Sequence, residues 1–303
     1  VALDVAPHFP RRYFLAASLL AAGPAAAQPG DLRTRLSRLR CGANLERWFP
    51  VARDNHPRRL GRDWWRDFRA VGFDHVRMFV PGGGGGSELM ELFRQAIEDA
   101  NAAGLPVLFG LNDIIQQDTP AVQEWDRLAS RARFFGSRTD PDMVALAPLN
   151  EPAFETTAAW LPIRNRMLAT LRDAAPRHLL VWGGREWNSL RSLLEIAPPA
   201  DPWTIAEVHD YAGGRSAEVR KRFAAAATWR DRHGIPVVVT EYNGSGRNQT
   251  NRAAWTQDLQ EGLPALRSLG LPVTLWSYSH GSWYRMQQGD GPSPYPEVRA
   301  LLG

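Results

Sequence analysis

The sequence predicts an α/β protein, a single-domain (β/α)8 TIM barrel, and three observations carry that prediction. Eight short apolar or β-rich runs that end in polar residues alternate with longer amphipathic stretches. Three of the runs are introduced by Gly-Leu-Pro or Gly-Ile-Pro, at 104–106, 234–236 and 270–272, which reads as a helix C-cap glycine followed by a proline at a strand's first residue. The span 28–303 is the length that eight βα units occupy. A doubly wound open sheet is the competing architecture, but it uses fewer strands and a glycine-rich first turn.

The strand-like runs are, in order, CGANLERW (41–48), HVRMFV (75–80), PVLFGLND (106–113), VALAPLNE (144–151), HLLVWGG (178–184), WTIAEVHDY (203–211), PVVVTEYN (236–243) and PVTLWSYS (272–279). Helical periodicity between them predicts helices over 63–71, 87–103, 121–135, 157–174, 217–233 and 252–269. No linker or low-complexity tract divides the span into folded parts. Residues 1–27 read as a signal peptide, with the segment before Pro10 as an upstream extension. Arg11 and Arg12 precede an apolar run too short to span a bilayer, and Ala25, Ala26 and Ala27 follow it. The Arg-Arg-Tyr-Phe-Leu order resembles a twin-arginine export signal, so the expected location is secreted or periplasmic, with cleavage after Ala27.

Composition narrows the function. The formal net charge is +4, and the basic residues are scattered among Asp and Glu, which describes a solvated surface and not a nucleic-acid stripe. Cys41 is the one cysteine, which excludes an intramolecular disulfide and a cysteine-based metal cluster. The histidines do not fall at ligand spacing, and PGGGGG (81–86) lacks the Gly-Lys-Ser/Thr ending of a phosphate loop, so neither metal nor nucleotide is expected. Twelve tryptophans are the unusual feature of the composition. An indole offers a broad apolar face and one donor, which suits a sugar ring.

In a (β/α)8 barrel the chemistry gathers where strands end, and the strand ends here carry Arg77, Asn112, Asn150, Glu151, His209, Tyr211, Glu241 and Trp276. His209 and Tyr211 share a parity; Asn150 and Glu151 are adjacent, so both reach inward only through a bulge or a bend at Pro152. Two carboxylates on different strands, Glu151 and Glu241, point to glycoside cleavage by one acid and one nucleophile, their carboxyls about 5 Å apart. Arg77 beside Glu241, with a hydrogen bond from Tyr211, favours its ionised form, whereas Glu151 facing a like charge is expected to hold its proton. Glu207 has the parity of His209 and reads as a structural carboxylate that needs an arginine partner. Trp48, Trp125, Trp187, Trp203, Trp283 and Tyr284 are candidate sugar platforms; Trp64, Trp65 and Trp229 fall in helical patterns and read as packing.

These residues carry a resemblance. LNEP after the fourth strand, TEY ending the seventh, RMF in the second, HDY in the sixth and LW in the eighth together resemble glycoside hydrolase family five, the cellulase family of retaining (β/α)8 enzymes. GANLERWF is similar to that family's first strand, VWGGREWNSL to its fifth strand and following Trp loop, and HGSWYR to the aromatic loop after its eighth. The resemblance implies that Glu151 is the acid/base and Glu241 the nucleophile. It also implies that Arg77, Asn150, His209, Tyr211 and Trp276 line the cleavage subsite, that Asn150 bonds the sugar 2-hydroxyl, and that the Trp276–Ser277 peptide is cis. Two positions depart from the pattern: Asn112 stands where the family usually has histidine, and TEY replaces the commoner Glu-Phe-Gly. The expected function is therefore a secreted, cofactor-free endo-β-1,4-glucanase, a monomer acting on a β-1,4-linked polysaccharide or oligosaccharide. Neither nucleic acid nor, once the signal is removed, a membrane is an expected partner. A β-mannanase or other β-glycanase is the alternative within the family, and a catalytically silent polysaccharide-binding barrel the alternative from another class.

Overall fold

The computed structural model describes residues 34–45, 59–80, 86–111, 122–244, 251–279, 284–289 and 291–302. Eight strands, β1 (Cys41–Asn44), β2 (Val76–Phe79), β3 (Val107–Gly110), β4 (Val144–Ala147), β5 (Leu179–Gly183), β6 (Thr204–Asp210), β7 (Val237–Tyr242) and β8 (Val273–Leu275), close in sequence order into a parallel barrel. A helix follows each: α1 (Arg62–Val71), α2 (Ser87–Ala102), α3 (Val122–Gly136), α4 (Thr157–Ala174), α5 (Leu190–Leu194), α6 (Ser216–His233), α7 (Arg252–Ser268) and α8 (Pro296–Arg299). The six long helices end within one residue of the ranges that periodicity predicts. The sequence pattern does not show α5 and α8, because five and four residues are too few to establish a helical period. Gly104, Gly234 and Gly270 adopt the left-handed φ values of 76°, 66° and 66° that a C-cap ahead of a strand requires.

Alternation along the strands separates two cores. One face of each strand, including Val76, Met78, Val107, Phe109, Leu146, Trp182, Val208, Val239 and Leu275, packs against the helices. The other face builds a smaller cluster inside the barrel from Leu108, Ala145, Ala147, Leu179, Val181, Ile205 and Val238, joined by Trp203 and by Leu39 from the segment that leads into β1. Beyond that plug, toward the strands' C-terminal ends, the buried residues turn polar: Arg77, Glu207, His209, Thr240 and Glu241. Aromatic packing ties the last strand to the first helix. Phe68 stacks on Trp64 and on Phe73, with ring centroids 5.3 and 4.9 Å apart, and Tyr278 stands edge-on to all three. The peptide Trp276–Ser277, just ahead of Tyr278, is cis. No helix among the described residues is long and apolar enough to cross a membrane.

The junction of β1, β2 and β8 leaves no spare volume. His75 is buried, with Nδ1 2.6 Å from Asp74 Oδ1 and Nε2 2.8 Å from Thr274 Oγ1, and a Cβ added at Gly42 would lie 2.4 Å from its ring. Held at both nitrogens, the imidazole has nowhere to move. Gly42→Ala is expected to lower unfolding stability by about 1–3 kcal/mol, the usual cost of overpacking. Gly291→Ala, where an added Cβ meets nothing within 4 Å, is expected to change it by less than about 0.5 kcal/mol. Urea midpoints of the two variants check this, and equal midpoints would contradict it.

Candidate active site

Three strands and the loops after β4 and β6 deliver one constellation to the barrel's C-terminal mouth. β2 supplies Arg77, the loop after β4 supplies Asn150 and Glu151, β6 and the residue beyond it supply His209 and Tyr211, and β7 supplies Glu241. Regular alternation would not assemble it. β4 ends at Ala147, and Glu151 takes φ of 50°, which provides the bend that lets adjacent Asn150 and Glu151 both reach the site. On β7, Val238 faces the barrel interior and Thr240 Oγ1 donates to Glu207, so strict parity would turn Glu241 outward. Register shifts between Val208 and His209 on β6 and between Val239 and Tyr242 on β7 restore it to the site. The loop after β5 is laced to both neighbours: Trp187 N donates to Pro152 O at 2.8 Å, and His209 N donates to Asn188 O at 2.9 Å.

Arg77 is the hub. Its Nη1 donates to Glu241 Oε1 at 2.7 Å and to Asn44 Oδ1 at 3.0 Å, its Nη2 donates to Asn150 Oδ1 at 2.6 Å, and Glu207 Oε2 lies 3.7 Å away. Asn44 in turn donates from Nδ2 to Thr240 O at 2.9 Å and Leu275 O at 3.2 Å, bracing β1 against β7 and β8. The hydroxyl of Tyr211 donates to Glu241 Oε2, so both oxygens of Glu241 are engaged. His209 Nδ1 lies 2.9 Å from Glu151 Oε1 and 3.5 Å from Glu241 Oε2. Glu151 and Glu241 present oxygens within 4.8 Å of each other. With His209 they form a grouping that can also hold a cation, although the Arg77 guanidinium already supplies positive charge there.

Electrostatics correct one expectation. Glu151 does not hold its proton through repulsion by Glu241: its carboxyl lies below its ordinary value of 4.5. Burial pushes it up most strongly, but the hydrogen bond and electrostatic pull of His209, with the charge of Arg77, together outweigh burial. The like charge that was expected to protonate it is neutralised by Arg77. Burial pushes the Tyr211 phenol up and the Glu241 charge pushes it further, so it stays a neutral donor. Burial alone would lower Arg77, yet the charges of Glu241 and Glu207 raise it.

Glu207 is the structural carboxylate that parity predicts. It is buried, accepts from Thr240 Oγ1 at 2.7 Å and Asn188 Nδ2 at 3.1 Å, and faces Arg77. Trp276 lies half-buried at the rim with its ring nearly parallel to Phe79, centroids 6.2 Å apart. Trp187 is 59% exposed on the loop after β5, with φ of 47°, and stands free for a ligand. Trp125 and Trp203 are not platforms. Trp125 is buried on α3 beneath Arg166, and Trp203 is buried in the inner plug at the opposite end of the barrel. Tyr284 packs against the core, and Trp65 and Trp229 are buried as the helical pattern predicts. Trp48, Asn112 and Trp283 lie outside the described residues, as do the signal segment and residues 81–85. Asn44, Phe79 and Asn188 belong to the constellation and escape the sequence reading, although Asn44 is the polar residue that closes β1.

Residues 65–282 match the family model described as Cellulase (glycosyl hydrolase family 5). The sequence is 25% identical over 168 residues to endoglucanase H of Acetivibrio thermocellus, covering 50% of this chain and 18% of that protein, so the chain spans under a fifth of the length of this relative. Among solved structures, endoglucanase Cel5A from the hyperthermophilic Thermotoga maritima superposes with a TM-score of 0.76 at 14% identity, covering 90% of this chain and 100% of its own. The same enzyme in complex with mannotriose superposes with a TM-score of 0.72 at 14% identity, covering 89% and 99%. At that identity the superpositions show a shared fold.

The lowered Glu151 carboxyl makes a prediction about stability. A carboxyl whose folded value lies below its unfolded value favours the fold above about pH 4.5, and that contribution disappears as pH falls through the folded value. Glu151→Gln removes it. Urea unfolding between about pH 5.5 and pH 3 is expected to show the stability difference moving against the wild type on acidification. A difference that moves toward the wild type would give the wrong sign.

Proposed function

This chain belongs to the cellulase family, glycosyl hydrolase family 5, and from that premise we propose that it is an endo-acting β-1,4-glucanase that cleaves with retention of anomeric configuration. The observation that carries the reading is the pair of acids: Glu151 and Glu241 bring oxygens within 4.8 Å of each other, on either side of His209 and beneath an arginine that engages only one of them. Carboxyls about 5–5.5 Å apart leave no room for an intervening water and favour a covalent intermediate, whereas about 6.5–9.5 Å accommodates direct attack by water.

In this mechanism Glu241, oriented by the hydrogen bonds from Arg77 and Tyr211, attacks the anomeric carbon and forms a glycosyl ester as the carbon–oxygen bond to the leaving sugar breaks. Glu151 gives its proton to the departing oxygen. Water then enters, Glu151 takes one of its protons, and the resulting oxygen attacks the anomeric carbon as its bond to Glu241 breaks, releasing the sugar and restoring the Glu241 carboxylate. The Glu151 side chain is 34% exposed in the free protein, and a sugar ring over it would complete its burial. Burial is already the largest influence on that carboxyl and the one that favours its protonated form, so substrate binding itself would bring the acid toward its working state. Asn150 accepts from Arg77 through Oδ1, which leaves its Nδ2 to donate to the sugar 2-hydroxyl.

The exposed face of Trp187 supports a glucan, whose equatorial hydroxyls leave two flat C–H faces to stack. A mannan is the second reading, favoured by the Thermotoga neighbour's complex with mannotriose. We also propose export through the twin-arginine-like signal, which N-terminal sequencing of secreted protein, expected to begin at Gln28, would test.

Glu151→Gln and Glu241→Gln should each lower kcat on a β-1,4-glucan by a factor of at least about 100, with the fold intact by circular dichroism. The first product seen by NMR should keep the β configuration; an α product would replace retention by inversion. Trp187→Ala should raise KM on long cello-oligosaccharides more than on short ones, since a platform away from the cut contributes binding and not chemistry. Equal losses on both lengths would remove Trp187 from the cleft, and a higher kcat/KM on manno- than on cello-oligosaccharides of equal length would favour the mannan reading.

A further inference from the structure

Asn188 is buried in the loop after β5 at φ of 55°, a left-handed conformation that asparagine and aspartate adopt more readily than other residues with a Cβ. Its Nδ2 donates to Glu207 Oε1 at 3.1 Å. An ionised carboxylate only accepts, so this bond fixes which way the amide faces. The same Nδ2 lies 3.4 Å from His209 Nε2, while Asn188 Oδ1 is buried with no hydrogen-bond partner among the described residues. A buried amide oxygen without a partner is unfavourable, and the opposite flip would set that oxygen against the Glu207 carboxylate. Gly183 makes the room: a Cβ there would lie 1.9 Å from Asn188 Oδ1. Glu207 is itself locked by Thr240 Oγ1 at 2.7 Å.

The consequence falls on His209. Its Nε2 meets an N–H donor and so is the accepting nitrogen, which places the ring proton on Nδ1, 2.9 Å from Glu151 Oε1. Three carboxylates face this ring: Glu151 from the loop after β4, Glu241 from β7 at 3.5 Å, and Glu207 from its own strand at 3.9 Å. Arg77 from β2 sits against Glu241 and Glu207 and offsets both. The Asn188 amide presents an N–H and no acceptor at Nε2, the position a second ring proton would occupy.

We propose that Asn188, oriented by Glu207, is a positioning residue that holds His209 as the neutral Nδ1–H tautomer and so limits how strongly His209 stabilises the Glu151 carboxylate. This rests on Glu151 being the acid of the proposed reaction. A neutral imidazole donates one hydrogen bond to Glu151, whereas an imidazolium would add a full charge and hold the carboxylate against protonation.

The test exchanges donor and acceptor. Asn188→Asp keeps the shape and tolerates the backbone, but sets an acceptor at His209 Nε2 and a like charge beside Glu207. It should lower the melting temperature and move the alkaline limb of kcat/KM to lower pH by about one unit. Combining it with Glu207→Gln lets the amide introduced at 207 donate to the carboxylate introduced at 188, which should restore the melting temperature while the pH shift remains. Nitrogen-15 NMR of the His209 ring near neutral pH should show the neutral Nδ1–H form in the wild type and a doubly protonated ring in both variants. A wild-type ring protonated at Nε2, or a double variant that recovers the melting temperature and the wild-type pH profile together, would overturn the proposal. The NMR measurement needs no substrate, so a wild type that hydrolyses no glucan would count against the functional reading and leave the tautomer to be judged alone.

Discussion

The buried guanidinium of Arg77 is the interaction on which the rest of the site depends. It is 3% exposed and touches residues from β1, the loop after β4, and β7, with Glu207 of β6 close by. Three carboxylates converge on the barrel mouth, and without a cation they would repel each other or take up protons. A buried charge is tolerated where it is paired and its donors are satisfied, and removing one partner of such a pair typically costs about 3–5 kcal/mol. Arg77 meets both conditions because Asn44 and Asn150 accept the N–H groups that the carboxylates do not. It is hydrogen-bonded to Glu241, whereas Glu151 is hydrogen-bonded to His209, which is the asymmetry that two acids in different roles require.

A second constraint is geometric. A strand shows alternate residues to opposite sides, so a barrel built on strict alternation can present only every other residue to its mouth. Each exception here lies at the site. Glu151, Trp187 and Asn188 take positive φ values, and β6 and β7 shift register beside His209 and Glu241. Below this level the strands alternate regularly around the small inner plug of aliphatic side chains and Trp203. The regular part of the barrel thus provides rigidity, and the irregular part provides aim.

The aromatic residues divide along the same line. Trp64, Phe68, Phe73 and Tyr278 form one packed group that fixes α1 against the end of β8, and through Tyr278 they anchor the backbone that carries Trp276. Trp187 alone among the described tryptophans is largely exposed, on a loop bonded to the backbone of the Asn-Glu-Pro turn. Packing aromatics and binding aromatics differ here in burial and not in residue type, and for that reason a tryptophan-rich composition points to a sugar without saying which rings would meet it.

The fold class, the order of the strands and the limits of the long helices were legible in the sequence, because they follow from local periodicity and from the Gly-Leu-Pro and Gly-Ile-Pro punctuation at 104–106, 234–236 and 270–272. The polar residues that gather at the mouth were legible too, since a polar residue closing an apolar strand has one place to go in a closed parallel barrel. Three things only the tertiary structure decided. Trp125 and Trp203 are core because helix packing and the inner plug enclose them, which no local pattern records. Asn44 joins the site through a contact with β7, far along the chain, and Asn188 through a contact with Glu207 of the next strand that depends on its loop conformation. The protonation of Glu151 was read wrongly from sequence because it depends on the balance of burial, His209 and Arg77 at a few ångströms, and Coulomb energies and desolvation are set by distances that a linear order of residues does not contain.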